Sequence, residues 1–124
     1  MLLFNGALIH WWSRTLKVIA LSSQDADYMA LSDSSRELIF IRQLLESLGF
    51  KVTGPTDLYS DNNGALALAN KPCDHQKSKH IEVRFHFARQ QVEENAVATQ
   101  KVSTADQLAG VMTKSLAKLR HWML

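Results

Sequence analysis

Between Ser22 and Gly49 runs a long helical pattern, and it limits what the rest of the chain can do. Ser22 with Asp25 three residues on is a capping-box-like pair, in which a side-chain oxygen satisfies a backbone N–H of the first turn. Leu31, Leu38, Ile41, Leu45 and Leu48 recur at helical spacing and give the helix an apolar stripe. Gly49 is a natural C-terminal stop, because it accepts the left-handed conformation that ends many helices. Ser32-Asp33-Ser34-Ser35 is the weak point, where side chains compete for backbone hydrogen bonds and a break is expected.

The flanks alternate. Leu2-Leu3-Phe4, Asn5-Gly6 and Ala7 to Trp12 predict a hairpin with a two-residue turn. Leu16 to Ala20 continues in extended form. After the helix, Thr53-Gly54-Pro55 is a turn and Thr56 to Ser60 a short strand ending at Asp61. Asn62 can cap a helix from Gly64 to Ala69, closed by Lys71-Pro72. Cys73 to Ser78 is a polar loop. Ile81 to Asn95 is helical, with Ile81, Phe85, Ala88 and Val92 on one stripe. Ala96 to Val102 is a strand, and Ser103 or Thr104 caps a last helix from Ala105 to about Leu116. Strands alternating with helices in the second half predict an α/β chain, a mixed sheet with helices on its faces.

Composition adds bounds. At 124 residues the chain is one domain at most, 1–124, and 46% apolar residues allow a core. A net charge of +2 neither demands nor excludes a nucleic-acid partner. Cys73 is the single cysteine, so no internal disulfide forms, which fits a reducing compartment. No apolar run is long enough for a membrane span, and Met1 to Phe4 is too short for a signal peptide. The expected location is intracellular, in cytoplasm or nucleus.

Five segments, in order and covering nearly the whole chain, resemble the ribonuclease H domain of copia-type retrotransposon Pol polyproteins. They are Val18 to Leu31, with its Ala20-Leu21-Ser22-Ser23 and Tyr28-Met29-Ala30-Leu31; Leu44 to Phe50; Tyr59 to Ala69, with Asp61-Asn62; Lys79 to Arg89; and Thr104 to Leu116. The resemblance implies a ribonuclease H-like fold, a mixed sheet with helices on both faces. It implies an endoribonuclease that hydrolyses the RNA strand of an RNA/DNA hybrid. Two divalent metals, Mg²⁺ or Mn²⁺, about 4 Å apart would activate water and stabilise the leaving oxygen. Hard cations of this kind take carboxylate oxygens, which the family supplies from separate strands and helices.

Taken position by position, the set is incomplete. The family's first aspartate lies on a first, central strand that precedes the segment matching Leu2 to Phe4. That strand is missing from this sequence, which is expected to leave two half-sheets with facing edges at Leu2–Phe4 and Thr56–Ser60. Asp27 stands where the family has a glutamate, one methylene shorter, in a site that tolerates about half an ångström. Without the resemblance Asp27 is simply an acid in a first turn, where the helix dipole favours it. Asp61 matches the family motif, and its plain alternative is an Asx-turn or cap. Gly110 replaces the last acid and brings no ligand, and Asp106, four residues earlier, is a weak substitute.

Other features are less pointed. Cys73, His75, His80 and His86 do not follow a paired zinc spacing. Lys77, Lys79, His80 and Arg84 can contact phosphate through charge, or form an ordinary solvated helix face balanced by Glu82, Glu93 and Glu94. Trp11 and Trp12 point to opposite faces if they lie on a strand, one toward the core and the other uncovered.

The expectation is therefore a degenerate domain. Its metals are bound weakly through Asp27 and Asp61, and its partner is an RNA/DNA hybrid or other nucleic acid. Its exposed sheet edges favour homo-oligomers, and hybrid hydrolysis is lost or strongly impaired. The alternatives are a non-catalytic module that binds nucleic acid or protein on the same fold, and a relic with no selected role.

Overall fold

A computed structural model of the protein describes residues 1–16, 18–70 and 83–112. It begins with the expected hairpin, β1 (Leu2–Phe4) against β2 (Ala7–His10), antiparallel. Asn5 and Gly6 take φ of 49° and 80°, and this pair of positive φ values gives a turn whose twist suits two right-handed strands.

β2 stops at His10, before Trp12, and Leu16 and residues 18–20 form no strand. The reason is the partner. β1 is three residues long, and the pairing of Leu2 with His10 already exhausts it. Alternation survives without a ladder: Leu16, Val18 and Ala20 pack on the core, while Ile19 is 90% exposed. Trp11 is exposed, and Trp12 is half-buried beside His10 and Arg14.

α1 (Ser23–Ser47) is continuous over 25 residues. Ser22 caps it, its Oγ accepting from the Asp25 N–H at 3.2 Å. No break occurs at residues 32–35. Ser35 donates to the Leu31 carbonyl one turn back, and Ser32 donates to the carbonyl of Phe85 on another element, so both buried hydroxyls are satisfied without disturbing the helix. Gly49, at φ 91°, ends the helix. The Gly49 N–H reaches Glu46 O and the Phe50 N–H reaches Leu45 O, both at 3.0 Å, a paired C-cap. The predicted stripe is only half used: Leu31 and Leu38 are buried, but Leu48 is 66% exposed.

β3 (Thr56–Ser60) pairs in parallel with β4 (Val97–Lys101). Between them lie α2 (Asn63–Asn70), a 3₁₀ turn (Val83–His86) and α3 (Phe87–Glu93). The predicted helix over Ile81–Asn95 is thus part 3₁₀ and part α within the described residues. The predicted last helix is a 3₁₀ turn at Leu108–Met112, with Ser103 accepting from the Asp106 N–H at 3.2 Å as expected of a cap. Its continuation beyond Met112 lies outside the described residues.

The chain is mixed α/β, and its described strands do not form one continuous sheet. Among the described residues there are two separate two-stranded sheets, β1–β2 and β3–β4. On β3 the burial alternates, so Thr56, Leu58 and Ser60 face the helices while Asp57 and Tyr59 face outward. Helices therefore cover one face of this pair. The core lies there, with Tyr28, Met29 and Leu31 of α1 packing on Ala65, Leu66, Leu68 and Ala69 of α2, and on Phe85 and Ala88. The small residues Ala65, Ala69 and Ala88 let three helical segments approach closely. Among the described residues, no helix is long and apolar enough to cross a membrane.

Candidate functional site

Parallel strands present their C-terminal ends as a crevice where ligands commonly bind. Here that end is built by Ser60, Asp61 and Asn62 after β3 and by Lys101 and Val102 at the end of β4. The Val102 N–H closes the ladder on Ser60 O at 3.0 Å, and the Lys101 ammonium donates to the Asp61 carbonyl. Asp61 is half-buried.

Asn62 joins three elements. Its Oδ1 accepts from the Ala65 N–H at 3.1 Å, capping α2, and its Nδ2 donates to Asp27 Oδ2 at 2.8 Å. Asp27, in the first turns of α1, is thereby brought to the residue next to Asp61. The first turns of α1 and α2 also meet at Gly64, where a Cβ would lie 2.2 Å from Gln24 Oε1. The glycine leaves room for that side chain.

The other expected positions fall differently. Asp106 is engaged in its own turn, its carboxylate accepting from Ser103 Oγ at 2.6 Å. Gly110 sits half-buried in the 3₁₀ turn, with no heavy atom within 4 Å of where a Cβ would be. Lys77, Lys79 and His80 lie outside the described residues, as do Cys73 and His75. The backbone of Arg84 belongs to the 3₁₀ turn, but its side chain lies outside what is described.

A second buried polar group lies deeper. The Tyr28 hydroxyl is 2.7 Å from His86 Nδ1, and the Arg89 guanidinium stands 5.9 Å from the centre of the Tyr28 ring. Arg89 Nε donates to Leu68 O at 2.9 Å near the C-terminus of α2, where the helix dipole favours a cation. Burial pushes the Tyr28 phenol above its usual value of 10.0, and the Arg89 charge acts the other way. A raised folded value means the stability from a neutral phenol is complete below about pH 10 and is lost as pH rises through the folded pKa. Tyr28→Phe should therefore lose about 1 kcal/mol at neutral pH, from the hydrogen bond. Its urea midpoint should then fall less steeply than the parent's in the alkaline range.

The Asp27 carboxylate accepts from Asn62 Nδ2, Gly110 brings no side-chain oxygen, and the Asp106 carboxylate accepts from Ser103 Oγ. Among the described residues, no group of three or more His, Cys, Asp or Glu side chains gathers as a metal cluster. Sequence reasoning found Asn62 only as a cap. Its bond to Asp27 carries no sequence signal, since nothing in the spacing from 27 to 62 says the two meet.

A mixed α/β chain with acids at the end of a parallel strand pair is the class the geometry defines. Comparison with known proteins gives the origin: the homologues of this chain are retrovirus-related Pol polyproteins from transposons. It is 40% identical over 110 residues, 89% of its length, to the polyprotein of transposon RE1 of Arabidopsis thaliana. It is 40% identical over 111 residues to that of transposon RE2 of the same plant, and 32% identical over 111 residues to that of TNT 1-94 of Nicotiana tabacum. The chain spans 8% of the length of each of these relatives. No family model matches the chain, and no solved structure matches it.

Proposed function

We propose that this chain is a degenerate ribonuclease H domain of a copia-type retrotransposon Pol polyprotein, with two-metal hydrolysis of RNA/DNA hybrids lost or strongly impaired. The observation that supports this reading is at the end of β3, where Asn62, next to Asp61, donates to Asp27 Oδ2, while Gly110 stands in the sequence where the motif expects an acid. A bound Mg²⁺ or Mn²⁺ would be held by Asp27 and Asp61 and would supply polarisation of a phosphoryl oxygen and activation of water. The nucleic-acid partner would be met by the basic segment of Lys77, Lys79, His80 and Arg84, through phosphates rather than bases.

The loss of Gly110's counterpart acid is also the ground for a second reading, a module that binds a hybrid without cutting it. A gel-shift assay at several salt concentrations tests the binding both share. Hybrid binding that weakens steeply with salt fits it, and no binding at low salt removes it.

Restoring ligands gives a further expected result. Gly110→Asp adds a Cβ that meets no heavy atom within 4 Å. Combined with Asp27→Glu it should raise Mn²⁺ affinity about tenfold or more, the scale at which residues at metal sites act. Calorimetry checks it. An unchanged affinity would mean that residue 110 does not face the Asp27–Asp61 junction.

A further inference from the structure

We infer that Asn5-Gly6, at the tip of the β1–β2 hairpin, is a self-modification site, where the Asn5 amide becomes a carboxylate through a cyclic imide with water as co-reactant. Two asparagines precede glycine in this chain, at Asn5-Gly6 and Asn63-Gly64. The sequence ranks them equally, and the tertiary structure separates them.

The chemistry needs an unhindered backbone nitrogen after a labile asparagine, which glycine provides by having no Cβ. The Gly6 nitrogen, stripped of its proton by hydroxide, bonds to Asn5 Cγ. The Cγ–Nδ2 bond breaks, and the amide nitrogen leaves as ammonia. Water then adds to one of the two ring carbonyls. Opening at Cγ gives aspartate on an unchanged backbone. Opening at the Asn5 backbone carbonyl leaves the chain running through the side chain, one methylene longer. Nothing is oxidised or reduced.

Ring closure turns the Cα–C bond of the asparagine away from its folded torsion, so each site must first open locally, and the ease of opening sets the rate. Asn5 opens easily. β1 has three residues and β2 four, among the described residues they pair only with each other, and the register shifts between Leu2 and Leu3. A lone two-stranded hairpin is marginally stable in water. Phe4 rests edge-on against Phe50, but Leu3 and Leu8 on the paired strands are exposed. Asn5 and Gly6 are themselves exposed, and no heavy atom lies within 4 Å of where a Gly6 Cβ would be.

Asn63 begins α2, and the contacts there oppose its release. Asn62 Oδ1 caps the helix at the Ala65 N–H, Ala65 is fully buried, and the Gln24 side chain fills the space beside Gly64. Moving Asn63 therefore disturbs the packing of α2 on α1. Asn95 shares the left-handed backbone of Asn5, at φ 58°, but Ala96 follows it. The Ala96 Cβ crowds the nitrogen, and its N–H already donates to Gln91 O at 3.0 Å. Either product at Asn5 puts a carboxylate at the hairpin tip. The longer one also adds a methylene to a two-residue turn, which then no longer fits the pairing of Phe4 with Ala7.

The test incubates the full chain in mildly alkaline buffer, with and without urea, and follows both asparagines by peptide mapping and mass spectrometry. Each site's rate in buffer is divided by its own rate in urea, which removes intrinsic differences between the two sequences. Folding should slow Asn63 at least about tenfold more than it slows Asn5, because opening a core helix is harder than opening a surface hairpin. Equal or greater slowing at Asn5, or no conversion of Asn5 in buffer, overturns the proposal.

Discussion

If the proposed reading holds, residues 1–124 incubated with an RNA/DNA hybrid in Mg²⁺ should release product at least about a thousandfold more slowly than an intact ribonuclease H domain. The size follows from what each missing group does in a two-metal reaction. Losing one properly placed source of charge stabilisation costs about 10²–10³ in rate. Here Gly110 supplies no carboxylate, and Asp106 is tied to Ser103 at 2.6 Å. On the proposed reading only Asp27 and Asp61 would remain as ligands, and two carboxylates compete poorly with the water that Mg²⁺ retains. The control is Asp61→Asn. Cleavage near the rate of an intact enzyme, abolished by D61N, would show that a full metal site assembles despite Gly110.

Light scattering at increasing concentration should show an apparent mass that climbs to at least a dimer. The reason lies in the strand edges. In the β3–β4 ladder the Thr56 N–H reaches Ala96 O and the Val102 N–H reaches Ser60 O, both with Thr56, Leu58 and Ser60 turned toward β4. Asp57 and Tyr59 thus direct their backbone groups to the opposite edge. There Gln107 Nε2 approaches Tyr59 O at 3.5 Å, a poor substitute for a strand. The hairpin is similarly open, and Leu3, Leu8 and Ile9 are exposed along it.

Edge N–H and C=O groups left to water are a template for another strand. Pairing an open edge with a second copy satisfies such groups and covers apolar side chains at once. Leu3→Lys with Tyr59→Lys, which charges both sheets, should shift the distribution toward monomer. A monomer at every concentration in the parent chain would show that the edges are protected in solution and would sink the expectation.

How much was legible in the sequence depends on the range of the interaction. The Asn5-Gly6 turn, the Ser22 cap, the Gly49 stop, the strand Thr56–Ser60 and the Asn62 cap are all local, and each could be recognised from a few neighbouring residues. The helix continues through Ser32–Ser35 because Ser35 bonds one turn back to Leu31 O and Ser32 bonds to the carbonyl of Phe85, 53 residues away and out of reach of any local pattern. Leu16 to Ala20 has strand texture, but its described residues join no strand; they pack on the core instead.

The same division runs through the candidate site. Asp27, Asp61 and Gly110 stand out in the sequence only through resemblance to a family, since each also has an ordinary role in a turn or helix. That Asn62 links Asp27 to the end of β3 was decided by the approach of α1 to α2 across small side chains at Gly64, Ala65 and Ala69. Local backbone chemistry therefore determined where the elements start and stop. Which of them pair, which faces are covered and which acids meet depend on packing between residues far apart in the chain, and only the tertiary structure decided those.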